Sequence, residues 1–180
     1  MGALSYRASA NAALITLAAS LLATPALAET STINAADTAW MIVATALVLM
    51  MTIPGLALFY SGMVRKKNVL ATMAQSLAAV AMISILWVAF GYSLAFVGDG
   101  PWLGTLDRWF LIGMTMESVN PAAKTIPEAL FMLYQMTFAI ITVALVAGAV
   151  ADRMRFSAYL TFSVGWFMFV YVPLAHWVWG

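Results

Sequence analysis

Four long apolar runs, at about residues 40–62, 70–97, 128–150 and 156–179, dictate what this chain can become. Each reaches the ~20 residues that a helix needs to cross the hydrocarbon core of a bilayer. None alternates as a strand does. Ala, Leu, Met and Val come in blocks, and a helix satisfies its own backbone in lipid. The composition agrees: 64% of residues are hydrophobic and 8% charged, whereas a soluble domain has about a quarter of its residues charged. The runs predict an all-α polytopic membrane protein with four transmembrane helices. A net charge of +1 and no basic stripe give no reason to expect a nucleic-acid partner. Cysteine is absent, which excludes disulfides, thiolate metal sites and cysteine nucleophiles.

Residues 1–28 read as a signal peptide. Arg7 stands in a short basic start, an apolar stretch covers residues 12–23, and Pro25 precedes the small-x-small run Ala26-Leu27-Ala28. Cleavage is expected after Ala28, leaving residues 29–180. The alternative, an uncleaved anchor, needs a longer apolar core than this one. Charge then gives the orientation. Arg65, Lys66 and Lys67 lie between the first two runs, and Arg153 and Arg155 between the last two. Cytoplasmic loops are the ones enriched in Lys and Arg. Both short loops are therefore expected inside, and the long, mixed-charge connection at 98–127 outside, in agreement with an exported N-terminus.

No charged residue falls at the centre of a run, where proton pumps and ion-coupled transporters usually carry one. The runs also lack a carboxylate pair, a metal-binding cluster or a Ser/His/Asp set, so neither an enzyme nor a cofactor is expected. The candidates left are small polar and aromatic groups: Thr45, Gln75, Ser76, Ser84, Gln135, Thr137, Phe138, Thr142, Trp166, His176, Trp177 and Trp179. Trp40, Trp87, Trp102 and Trp109 read as interfacial-belt residues, while Trp177 and Trp179 suit either the belt or a site. His176, the one histidine, reads as a hydrogen-bonded structural residue. Pro54 and Gly55 inside the first run predict a kink and a close helix contact.

Five stretches, in order, resemble the ammonium transporters of the Amt/Mep/Rh family. PGLALFYSGMVRKKNVL (54–70) is similar to the end of their first helix and its inner loop, and WVAFGYSLAF (87–96) to the end of the second. YQMTFAIIT (134–142) resembles the third, ADRMRFSA (151–158) the loop after it, and VPLAHWVWG (172–180) the end of the fourth. The resemblance implies that Trp179 helps form an outer ammonium recruitment site. It implies that Phe138 is one of two stacked gate phenylalanines, with Tyr134 one turn earlier at a position often held by phenylalanine. His176 matches neither of the family's paired pore histidines. Asp152 stands where glutamate is common.

The family fold has about eleven spans in two inverted five-helix halves, an arrangement common in transporters. The resemblance covers the first four. On this basis the chain is expected to be an N-terminal portion that stops before the pore histidines, the second gate phenylalanine and the recruitment-site serine. The expected activity of the complete protein is transport of ammonium, ammonia or methylammonium across a bacterial inner membrane. The alternatives are an ammonium sensor built on the same membrane domain, or a truncated, non-conducting fragment. A homotrimer and a PII-type regulator are further implications of the resemblance.

Overall fold

Asn34 opens the first helix. Its side-chain oxygen accepts from the N–H groups of Ala36 at 2.8 Å and Asp37 at 3.2 Å. Asp37 lies in the first turn, where the helix's partial positive charge favours a carboxylate. This polar start is invisible to hydropathy, so α1 runs Ala35–Met63 and begins before residue 40. The computed structural model describes residues 33–151 and 153–180; the expected signal peptide and Asp152 lie outside the described residues. The second helix, α2, covers Lys66–Phe96 and starts with a 3₁₀ turn at Lys66–Asn68, earlier than residue 70. Glu128–Val150 forms α3, entered through Pro127, and Phe156–Trp179 forms α4. At 23 residues, the shortest is about 34 Å long, enough for a hydrocarbon core of about 30 Å.

The second helix is central and packs against each of the other three. Short connections join α1 to α2 and α3 to α4 at one end of the bundle, and Arg65, Lys66, Lys67, Arg153 and Arg155 are exposed there. The long connection at 98–127 sits at the other end, and its Thr125 carbonyl accepts from Asn34 N–H at 2.8 Å. Along α1, Ile42, Val43, Leu47 and Met50 face away from the rest of the chain, as suits contact with lipid.

Three helices contain a widened, π-helical turn: Met51–Leu56 in α1, Trp87–Gly91 in α2 and Phe167–Tyr171 in α4. In α1 the cause is Pro54, which has no N–H to give its own turn; the widening accommodates it. Among the described residues no other helix comes close to Gly55, where a Cβ would meet only the helix's own Met50 carbonyl. The close approaches are elsewhere. A Cβ on Gly148 of α3 would lie 2.5 Å from the Tyr60 ring of α1, and one on Gly91 of α2 would lie 2.7 Å from the Phe167 ring of α4.

The core lies toward the long-loop end and is aromatic. Trp87 is its centre, which corrects the interfacial-belt reading of that residue. It is fully buried, and its ring meets Tyr92, Phe96, Phe167 and Tyr171 edge-on at 6.1–6.3 Å between centroids. Its indole N–H donates to the Met132 carbonyl of α3 at 3.1 Å. One side chain thus links α2, α3 and α4. Trp40, Trp102 and Trp109 are exposed, as belt residues would be.

Candidate functional site

On α3, Tyr134, Phe138 and Thr142 stand four residues apart and share a face. The Tyr134 and Phe138 rings meet edge-on with centroids 5.0 Å apart. Both are partly buried. The threonine hydroxyls beside them turn back on the helix: Thr137 donates to the Tyr134 carbonyl and Thr142 to the Phe138 carbonyl, each at 2.6 Å. Thr45, Ser76 and Ser84 bond back to their own helices in the same way. Of the polar candidates, then, five hydroxyls spend their protons on backbone within one turn. Gln75 is different. Its side-chain oxygen is buried with no hydrogen-bond partner among the described residues, and the residue lines a small cavity at the basic end of the bundle.

Trp179, in the last turn of α4, forms part of the wall of two cavities of different character. One, of about 250 Å³, is rimmed by Asp99, Arg108, Asn120 and Glu128. The other, of about 260 Å³, is mainly apolar and lined by Thr142, Trp166, Tyr171 and Leu174. Trp179 is 50% exposed, and its side chain has no hydrogen-bond or ring partner among the described residues. The structure therefore pairs two of the three expected site residues, Tyr134 with Phe138. Trp179 stands apart from that pair and reaches α3 through the cavity it shares with Thr142, one turn beyond Phe138.

The polar cavity owes its charge to a network that hydropathy does not reveal. Glu128 begins α3 and is only 3% exposed. Its carboxylate accepts from the Tyr92 hydroxyl at 3.0 Å and lies 3.4 Å from the Arg108 guanidinium. Asn120 donates to the Tyr92 hydroxyl oxygen at 3.0 Å, while its own side-chain oxygen accepts from Ala122 N–H. Ser93 accepts from Arg108 N–H and donates to the Thr105 carbonyl. A buried carboxylate needs this support: an opposite charge, a hydroxyl donor and the N-terminal end of a helix. The network folds the long loop onto the ends of α2 and α3. The signal in the sequence was an acidic residue opening an apolar run directly after Pro127.

Residues 39–180 match the model of the Ammonium Transporter Family. A putative ammonium transporter of Methanothermobacter thermautotrophicus is 48% identical over 151 residues, which is 82% of this chain and 36% of that protein. The ammonium transporter of Bacillus subtilis is 51% identical over 80% of this chain and 35% of its own length. The chain therefore spans about a third of the length of these relatives. Among solved structures, the N240A mutant of Candida albicans Mep2 superposes with a TM-score of 0.73 at 38% identity, over 84% of this chain and 33% of that one. Mep2 of Saccharomyces cerevisiae gives 0.72 at 33% identity with the same coverage. With four apolar helices in this order and a family match over most of its length, the chain belongs to the ammonium transporter family.

Proposed function

We propose that this chain forms the substrate-recognition end of an ammonium transporter, with Trp179 as the cation-binding residue and Phe138 and Tyr134 as part of the gate below it. One observation carries the reading: Trp179 is half exposed with no partner among the described residues, between a cavity rimmed by Asp99, Arg108 and Glu128 and an apolar one. Glu128 is buried and paired with Arg108, so the exposed Asp99 carboxylate is the group that draws an ammonium ion in, and the ion meets the indole face before it meets hydrocarbon. Over an indole it gains about 0.5–1 kcal/mol when exposed and ~2 when desolvated. Carrying a charge to the bilayer centre costs at least ~2.5–3.5 kcal/mol. The tryptophan therefore selects and concentrates the cation, and passage needs further groups. The resemblance supplies these as pore histidines, which belong to parts of the family fold beyond these four helices. The role is transport rather than catalysis.

In this reading the long-loop end faces out of the cytoplasm of a bacterial inner membrane, and the complete protein is a homotrimer open to a PII-type regulator. The test has two arms. The 180-residue chain, reconstituted in liposomes, is expected to give no methylammonium flux above empty vesicles. In the full-length transporter carrying this segment, Trp179→Leu is expected to weaken methylammonium uptake and its selectivity over potassium, and Phe138→Ala to change flux through the gate. Unchanged flux and unchanged potassium competition in both variants would remove these roles.

A further inference from the structure

Among the described residues the Trp179 indole has no hydrogen-bond or ring partner, so its position here is set by the backbone of the last turn of α4. That turn is fastened by the residues just before it. The His176 ring is buried between two backbone carbonyls, with Nδ1 3.1 Å from Ala95 O at the end of α2 and Nε2 2.7 Å from Gly100 O in the long loop. Trp177 adds a third tie: its indole N–H donates to Trp102 O at 3.1 Å, and the two rings meet edge-on at 5.8 Å. The backbone at Gly180 is pressed against the same junction, where a Cβ would lie 2.3 Å from Ala95 O and 2.7 Å from His176 Nδ1.

We infer that His176 is a positioning residue for ammonium recognition: its imidazole locks the last turn of α4 to α2 and to the long loop, and thereby fixes where the Trp179 indole stands. Both carbonyls are acceptors only, so the ring serves them as a donor. A neutral imidazole donates to one and an imidazolium to both. Phenylalanine fills similar space and serves neither. Asparagine places its amide near Nδ1 and keeps the tie to Ala95; glutamine reaches toward Nε2 and keeps the tie to Gly100. The residue touches no substrate in this scheme. It acts through the indole three positions on.

The inference rests on Trp179 being the recognition residue, and the experiment separates the two. Concentration-dependent uptake of labelled methylammonium is measured in the full-length transporter reconstituted in liposomes, for His176→Phe, His176→Asn, His176→Gln, Trp179→Leu and the His176→Phe/Trp179→Leu pair. Loss of a hydrogen bond of this kind predicts a rise in KM of about two- to tenfold for His176→Phe, with maximal flux held to within about twofold. One of the Asn and Gln variants should recover most of the loss and the other should not, which identifies the tie that matters. In the Trp179→Leu background, His176→Phe should raise KM no further. If Trp179→Leu raises KM while His176→Phe leaves it unchanged, or lowers maximal flux alone, the inference fails and the recognition site stands. Additive effects in the pair overturn it too. If Trp179→Leu itself leaves KM unchanged, the recognition reading fails first. Should His176→Phe not assemble, the Asn and Gln variants carry the same test, since each removes one tie; wild-type KM in both would overturn the inference.

Discussion

Three helical glycines, changed to alanine one at a time, test whether close packing between helices holds this bundle together. In a helix interior the change is worth about 1 kcal/mol in favour of alanine, because glycine loses more backbone freedom on folding. At Gly165 of α4 no atom of the described residues lies within 4 Å of the added methyl, so the gain should appear in full. At Gly148 the methyl would sit 2.5 Å from the Tyr60 ring. That ring is partly exposed and can swing aside, but moving it breaks the bond from its hydroxyl to Leu145 O at 3.0 Å. A bond of that kind contributes about 0.5–1.5 kcal/mol, so gain and loss nearly cancel.

Gly91 is the decisive case. Its methyl would lie 2.7 Å from Phe167 Cζ and 3.0 Å from Trp87 Cε3, and both rings are fully buried with no room to yield. Overpacking of this sort costs about 1–3 kcal/mol, which leaves a net loss of about 0–2 kcal/mol after the propensity gain. The expected order of stability is Gly165→Ala above wild type, Gly148→Ala close to it, and Gly91→Ala below. Heating the detergent-solubilised 180-residue chain and measuring the fraction that stays monodisperse reads that order directly. A Gly91→Ala chain as stable as Gly165→Ala would refute the claim that the junction of Trp87, Gly91 and Phe167 is tightly packed.

The same assay checks two further expectations. Arg108→Met leaves the Glu128 carboxylate buried beside Tyr92 with no cation, and should cost less than the ~3–5 kcal/mol of a fully buried pair, because Arg108 is 28% exposed. Adding Glu128→Gln should restore most of it, and a double variant no better than Arg108→Met would show that the pair is not coupled. Trp87→Phe keeps an aromatic ring but gives up the bond to Met132 O, for an expected loss of about 1–3 kcal/mol. The variant should also lose a blue-shifted component of tryptophan emission; an unchanged spectrum would contradict the burial of Trp87.

What the sequence disclosed and what it hid divide along one physical line. The four helices were legible because lipid imposes its demand locally: a run of apolar residues has to be a helix, whatever packs beside it. Hydropathy sets the starts of α1 and α2 too late, because polar residues open each helix before its apolar run begins, at Asn34 and Asp37 and again at Lys66–Asn68. Trp87 was misread because burial is not a local property. Its place is set by Phe167 and Tyr171, which meet it only once α4 has packed on α2. The residues proposed for recognition show the contrast most clearly. Phe138 and Trp179 could be assigned only by resemblance, since as isolated residues they are an ordinary packed phenylalanine and an ordinary tryptophan at a helix end. What surrounds Trp179 came from neither source. The Glu128 network gathers positions 92, 108, 120 and 128, and the His176 clamp joins 95, 100 and 176. In each, a polar group of a helix end finds its partner on the long loop. That loop carried no motif, yet it charges the cavity and fixes the turn from which the indole projects. On the proposed reading, recognition becomes a property of how the loop closes over three helix ends, and Trp179 is the part of that closure offered to the substrate.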